Sequence, residues 1–338
     1  MSRDQPRIGS LCTGYGGLDA AVHAVFGGTT AWVSDIDPGA RQIIAHRMPD
    51  VPNLGDLTTT DWAAVEPVDI VLGGYPCQPF STAGKRKGTA DERHIWPYIA
   101  DALRVLRPRI AVFENVAGHL RLGFDTVLAD LARLGFDAEW CLVRASEVGA
   151  PHARQRLFIL AVAADTPDLG HERRRSARRG RAGFADGRDA AADTVRLLPG
   201  DDRELPSGRN ALRQWVRHDA PGRGPAAPAD TDGVGRRQAE RHVRTGQPDP
   251  AWGRFTPAVH RWASVLGRRA PGATDDRGRL SPLFVEWLMG LSAGWVTNVP
   301  GLSRTQQLKA LGNGVVPQQA EAAIRLLAER ATSTAAAA

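Results

Sequence analysis

The sequence predicts an α/β protein built on a doubly wound, mostly parallel sheet. Three observations point to it. Short apolar runs alternate with stretches of helical period. The first apolar run leads into a glycine turn and then a helix, the start of a mononucleotide-binding unit. Polar residues gather just after the apolar runs, where open parallel sheets hold their ligands.

The first strand is Arg7-Ile8-Gly9-Ser10-Leu11-Cys12. Thr13-Gly14-Tyr15-Gly16-Gly17-Leu18 turns into a helix through Ala20, Ala21, Val22, Ala24 and Val25. Glycines let a backbone approach a ligand closely, and a helix start offers free N–H groups. Ala31-Trp32-Val33-Ser34 is the second strand and ends at Asp35. Asp35 sits close to the ~20-residue offset at which a carboxylate holds a ribose hydroxyl. Asp56 follows another short strand, so three strand ends converge on an adenosine-sized crevice. Either acid alone reads equally as a loop acid or a helix cap.

Asp69-Ile70-Val71-Leu72 is a buried strand that ends at Gly73-Gly74. Tyr75-Pro76-Cys77-Gln78-Pro79-Phe80-Ser81 comes next, and Pro76 stiffens the turn before the thiol. Free cysteines are commonly buried small hydrophobes, so Cys77 alone leaves nucleophile and core residue both open. Asp91-Glu92-Arg93 leads into a helix across Ile95, Ile99, Ala102, Leu103 and Leu106, stopped by Pro108. Ile110-Ala111-Val112-Phe113 is a strand with Glu114 at its end, and Val127, Leu128, Leu131 and Leu134 mark another helix. Strands follow near Glu139 to Val143 and at Leu157 to Val162, with Arg154-Gln155-Arg156 before the second. An Arg-x-Arg pair on a strand turns both side chains to one face.

The character changes after Ala164. Residues 165–250 hold 17 arginines, no lysine and many glycines and prolines. Ala164-Asp165-Thr166 and Ala229-Asp230-Thr231 each precede an arginine-rich run, as a decayed repeat or as codon-biased low complexity. Residues 170–250 read either as a DNA-facing insert or as a partly disordered linker. Trp252, Phe255, Val259, Trp262, Val265 and Leu266 form one apolar helical face. Ser281-Pro282 and Glu286 open a helix, and Ala320, Ala323, Ile324 and Leu327 place a last helix against the sheet. The alanines after Arg330 read as frayed.

The chain has 338 residues, 42% hydrophobic, which suits one large domain or two unequal ones. No apolar run approaches the ~18 residues of a membrane helix, and Met1 to Arg7 lacks a signal-peptide core. Cys12, Cys77 and Cys141 match neither a disulfide framework nor a zinc pattern, so a cytoplasmic protein without a bound metal is expected. The net charge of +6 permits a polyanionic partner.

Taken in order, these motifs resemble those of the DNA cytosine-5 methyltransferases. Pro76-Cys77-Gln78-Pro79-Phe80-Ser81 with Gly84-Lys85-Arg86-Lys87-Gly88 resembles the nucleophile motif and mobile loop of that family. Glu114-Asn115-Val116 resembles its second catalytic motif, and Gly149 to Arg156 its Arg-x-Arg motif, with His152 where glutamine is usual. Ser10 to Gly17 resembles the first motif, which usually begins Asp-Leu-Phe rather than Ser10-Leu11-Cys12. Asp35-Ile36 stands where the family usually has glutamate and an aromatic. Ser281 to Leu291 resembles the ninth motif. Leu311-Gly312-Asn313-Gly314-Val315-Val316-Pro317 resembles the last, with Gly314 in place of serine. The likeness covers about residues 7–165 and 281–328.

The resemblance implies a Rossmann-like methyltransferase sheet with a smaller, irregular target-recognition insert. The catalytic domain would be 1–165 plus 300–338, and the insert 166–299. It implies S-adenosyl-L-methionine as cofactor, held by Leu11, Thr13, Gly14, Gly16, Gly17, Asp35, Ile36, Asp56, Leu57, Gly74, Pro76, Ile95, Asn313 and Val315. It implies Cys77 as nucleophile toward cytosine C6, Glu114 as partner of ring N3, and Arg156, supported by Arg154, on O2 and the carboxylate. Ser81, Lys85, Arg86, Lys87 and Arg93 would clamp double-stranded DNA around a flipped-out base. The expected protein is a monomeric DNA methyltransferase, with a cognate restriction endonuclease as a further expected partner. Three alternatives are an RNA cytosine-5 methyltransferase, a non-catalytic DNA-binding relative and a nicotinamide oxidoreductase. The last lacks its Gly-x-Gly-x-x-Gly spacing in Gly14-Tyr15-Gly16-Gly17.

Overall fold

Unbroken apolar runs become strands buried on both faces, and the three runs at residues 70–72, 110–113 and 157–162 lie side by side here. The computed structural model describes residues 5–76, 95–164 and 252–334. The six strands are β1 (Arg7–Leu11), β2 (Thr29–Ser34), β3 (Ile70–Gly74), β4 (Ile110–Val116), β5 (Phe136–Arg144) and β6 (Gln155–Ala163). They form one sheet in the order β2-β1-β3-β4-β6-β5. β1 to β4 pair in parallel, while β6 runs antiparallel to both β4 and β5.

Helices cover both faces, because alternate strand residues point to opposite sides. On one side Ile8, Ile70, Leu72, Ile110 and Val112 pack with α1 (Gly17–Phe26) and with Ala320, Ala323, Ile324 and Leu327 of the last helix. On the other, Leu11, Val71, Ala111 and Phe113 pack with α3 (Trp96–Leu106) and α4 (Phe124–Arg133). Each such side chain taken from water contributes about 1.5–3 kcal/mol before chain entropy is counted. Between β2 and β3 lies α2 (Pro38–Arg47), capped by Asp37, whose Oδ1 accepts from Gly39 N and Ala40 N. The remaining helices are α5 (Thr256–Leu266), α6 (Pro282–Leu288), α7 (Arg304–Asn313) and α8 (Pro317–Thr334). Among the described residues no helix is long and apolar enough to cross a membrane.

Several boundaries differ from the sequence reading. β4 runs on to Val116, so Glu114 lies within the strand and is pinned by neighbours on both sides. The strand expected before Asp56 is a single bridge, Val33 to Asn53, with Asn53 Oδ1 accepting from Asp35 N and Gly55 N. Val259 and Trp262 of α5 are buried, but Phe255 and Val265 are exposed, so the apolar face is narrower than its pattern. α8 continues past Arg330 to Thr334. The Arg-rich stretch 170–250 lies outside the described residues.

A third cluster joins the two ends of the chain. Tyr15 and Ile43 share it with Trp262, Trp287, Leu291, Trp295, Val296 and Val316. The loop after α6 is tied down by Glu286, which is 1% exposed. Its Oε1 accepts from Val296 N at 2.6 Å and Thr297 N at 2.9 Å, and its Oε2 from Gly294 N at 2.7 Å and Thr297 Oγ1 at 3.0 Å. This role is invisible in sequence, where Glu286 reads as a first-turn helix acid. Glu286→Ala would leave these donors without their acceptor. It should cost roughly 2–5 kcal/mol of unfolding free energy in urea titration, and a loss under about 0.5 kcal/mol would contradict this account of the loop.

Candidate active site

Strand register decides where the polar residues meet. Leu11 pairs with Ser34 on one side and Gly73 on the other, and Gly74 pairs with Glu114. Cys12, Asp35, Tyr75 and Glu114 therefore reach one sheet edge, at the carboxyl ends of the parallel strands. A cleft of about 520 Å³ opens there, inside the ~300–1,000 Å³ span of small-molecule sites. Of the expected cofactor residues, Leu11, Thr13, Gly14, Gly17, Asp35, Ile36, Asp56, Leu57, Gly74, Pro76, Ile95, Asn313 and Val315 line it. Gly16 does not. It is left-handed (φ 82°) and serves as the N-cap that starts α1.

The acids at the cleft are held by backbone. Asp35 Oδ2 accepts from Gly14 N at 2.8 Å and Oδ1 from Asp37 N at 2.9 Å. Burial pushes its carboxyl up, and the two N–H groups partly offset this. Asp56 Oδ1 accepts from Thr58 N at 2.9 Å and Thr58 Oγ1 at 2.7 Å. Asp37 pairs with Lys309, which links the start of α2 to α7 beside the cleft.

Glu114 is 6% exposed, and its Oε1 lies 2.8 Å from Arg156 Nε. Burial dominates over the attraction of Arg156 and Arg154 and pushes the Glu114 carboxyl up to about 7. Such a group is partly protonated at neutral pH and can give or accept a hydrogen there. Asn115 Nδ2 donates to Tyr75 O at 3.2 Å. Tyr75 OH meets His119 Nε2 at 2.9 Å, while His119 Nδ1 faces the Leu122 carbonyl at 2.9 Å. Nδ1 therefore carries the proton and Nε2 accepts from Tyr75. The Tyr75 ring also sits against Trp96 and Phe113. These contacts fix the backbone up to Pro76, the residue before Cys77.

Arg154 lies near enough to Arg156 and Glu114 for their charges to act on one another, but its hydrogen bonds go elsewhere. It precedes β6, so strand alternation does not govern it. Its Nη2 donates to Gly312 O at 2.8 Å and Gly314 O at 2.7 Å, which ties the start of β6 to the end of α7. It is not part of the cleft lining, whereas Arg156 is. Cys12, Asp19, Tyr75, Asn115 and Lys309 line the cleft although sequence reasoning did not name them as site residues. Asn115 could have been found from its place in the Glu114-Asn115-Val116 motif. The thiols of Cys12 and Cys141 are pushed up to about 12 and about 11, both chiefly by burial. Neither is poised as a thiolate nucleophile.

The absence of serine at position 314 has a structural reason. Tyr15 is 1% exposed and donates through its hydroxyl to Val315 O at 2.6 Å. A Cβ at Gly314 would lie 1.9 Å from Tyr15 Cε1, and one at Gly17 would lie 2.3 Å from Val315 O. Tyr15 and Gly314 thus fit as a pair. Gly314→Ser should cost about 1–3 kcal/mol in thermal or chemical unfolding. In a Tyr15→Ala background that cost should largely vanish, and additive losses in the double-mutant cycle would contradict the pairing.

Cys77, Ser81, Lys85, Arg86, Lys87 and Arg93 lie outside the described residues. Comparison with known proteins places the chain in a family. The chain is 31% identical over 153 residues to the type II methyltransferase M.NgoBV of Neisseria gonorrhoeae, covering 42% of this chain and 36% of the relative. It is 42% identical over 96 residues to M.AplI of Arthrospira platensis, covering 28% of each. The chain thus spans about a third of the length of these two curated relatives. With M.AquIA of Picosynechococcus it shares 31% identity over 180 residues, covering 46% of this chain and 71% of that one. The S. pombe Dnmt2 methyltransferase structure superposes with a TM-score of 0.56 at 16% identity, covering 96% of this chain and 99% of that one, which shows a common fold. A family model described as C-5 cytosine-specific DNA methylase matches residues 7–329, and the chain belongs to that family.

Proposed function

We propose that the chain transfers a methyl group from S-adenosylmethionine to carbon 5 of a cytosine flipped out of a specific double-stranded DNA sequence. The observation that carries this reading is Glu114, buried in the cleft against Arg156 and paired across the sheet with Gly74, three residues before Cys77 in the sequence. The cleft fits the cofactor. Asp35 and Asp56 each keep a carboxylate at its wall for ribose and adenine, Gly14 and Gly17 bring the backbone close, and no described lysine or arginine partners the buried Asp19. When bound, S-adenosylmethionine supplies an electrophilic methyl group.

The remaining chemistry belongs to the chain. Carbon 5 of cytosine is a poor nucleophile until a thiolate bonds to carbon 6. Cys77 forms that bond through Sγ, with its proton already lost. Glu114 gives a proton to ring N3, which offsets the electron pair entering the ring. Arg156 keeps the Glu114 carboxyl oriented and donates an N–H to the pyrimidine carbonyl O2. Carbon 5 would take the methyl group and leave S-adenosylhomocysteine; water then takes the carbon-5 proton, the C5–H electron pair re-forms the C5–C6 double bond and expels the Cys77 thiolate, and N3 returns its proton to Glu114. Extruding the base costs a few kcal/mol, which Ser81, Lys85, Arg86, Lys87 and Arg93 offset by gripping the strand. Target choice would lie in 166–299, against a catalytic domain of 1–165 plus 300–338. The protein would act as a cytoplasmic monomer, alongside a cognate endonuclease as the type II names of its relatives suggest.

Two experiments test this. Conversion sequencing of plasmid DNA from a methylation-free host should show methylcytosine at one short motif with the native chain and none with Cys77→Ala. Methylation that survives Cys77→Ala, or methylation of RNA alone in a matched assay, would overturn the proposal. The raised Glu114 carboxyl also sets a sign for pH. Its acid form prevails below about 7 and is lost above it. The kcat/KM profile should therefore carry a descending limb near that value, absent in Glu114→Gln, whose rate should fall by roughly 100-fold or more.

A further inference from the structure

Asp19 lies in the first turn of α1, is 1% exposed and lines the cleft. Neither of its carboxylate oxygens has a hydrogen-bond partner in ordinary geometry among the described residues. The Ser10 hydroxyl stands close enough to ease its charge, and because it accepts from Thr13 Oγ1 at 2.9 Å its own hydrogen is free to turn toward Asp19. The charge of Asp35 adds repulsion. A buried carboxylate with no cation beside it is costly, and the cost falls when one is seated against it.

We propose that Asp19 is the acceptor for the α-ammonium at the methionine end of the cofactor, and this rests on the methyl-transfer reading above. The chemistry selects that group. A carboxylate accepts N–H donors, and the sulfonium has none. A ribose hydroxyl is neutral and leaves the charge uncompensated, and Asp35 and Asp56 already lie on the β2 side of the cleft for the nucleoside. α1 also begins without a side-chain cap, so its first N–H groups are placed for an anion beside the ammonium. A zwitterion is the ligand that satisfies both.

The test compares ligands by calorimetry with the native chain and Asp19→Asn. S-adenosylhomocysteine carries the ammonium, and 5′-methylthioadenosine lacks the whole amino-acid end. Asp19→Asn should weaken S-adenosylhomocysteine by about tenfold or more and leave 5′-methylthioadenosine unchanged. Parallel losses for both ligands, or no loss for either, would overturn the assignment. A second measurement needs no variant. N-acetylation of S-adenosylhomocysteine removes the charge, so the native chain should bind the acetylated ligand more weakly by a similar factor, and equal binding would also overturn it. A native chain that binds S-adenosylhomocysteine and 5′-methylthioadenosine equally fails this proposal alone. One that binds neither fails the methyl-transfer reading with it.

Discussion

The parallel register of β1, β2, β3 and β4 is the constraint on which the site depends. It sets Leu11 against Ser34 and Gly73, and Gly74 against Glu114. A shift of one residue would turn each side chain to the other face of the sheet. Ile70 and Leu72 would then exchange layers with Val71, so packing on both faces resists the slip. The site takes its precision from the core. Glu114 sits inside a strand, and its carboxyl meets Arg156 from the antiparallel neighbour β6. Burial raises that carboxyl and the guanidinium lowers it, with burial the larger effect. The outcome is a carboxyl group that changes protonation near neutral pH.

The cleft is closed by parts of the chain far apart in sequence. Tyr15 donates to Val315, Arg154 to Gly312 and Gly314, and Trp295 Nε1 to Tyr15 O at 2.8 Å. Gln319 Nε2 donates to Val143 O at 2.7 Å and to Arg154 O at 2.8 Å. Each link uses a polar side chain to satisfy a backbone carbonyl at the join. The C-terminal helices thus form a wall of the pocket as well as a cover for the sheet. Glu286, with four donors around it, holds the loop from which Trp295 reaches the glycine turn.

Much of this was legible in the residues. Buried parallel strands have no polar face, so Ile70-Val71-Leu72 and Ile110-Ala111-Val112-Phe113 stand out as unbroken apolar runs. Acids and glycines at their ends marked the cleft, and thirteen of the fourteen expected cofactor residues line it. What escaped was set by tertiary contact. Asp19 reads as an ordinary first-turn acid, because an unpartnered burial leaves no trace in sequence. Arg154 lies one residue before β6, where period-2 reasoning stops, and so the pair divides between a strut and the cleft. Gly314 looked like a simple departure from serine until the Tyr15 ring was placed against it. The length of β4 was underestimated because Glu114 and Asn115 are polar, yet they pair within the sheet.

The central claim is a covalent bond between Cys77 and a cytosine ring on its way to methylation at carbon 5. The direct measurement is to incubate the native chain and S-adenosylmethionine with plasmid-length duplex DNA, taken from a sequence the chain methylates, in which 5-fluorocytosine replaces every cytosine, so that the target cytosine carries the fluorine. The fluorine at carbon 5 cannot leave as the proton does, so the ring should stay bonded to the chain. The account predicts a protein–DNA species that survives denaturation, with peptide mass mapping to Cys77. No such species, or an adduct at Cys12 or Cys141, would contradict it.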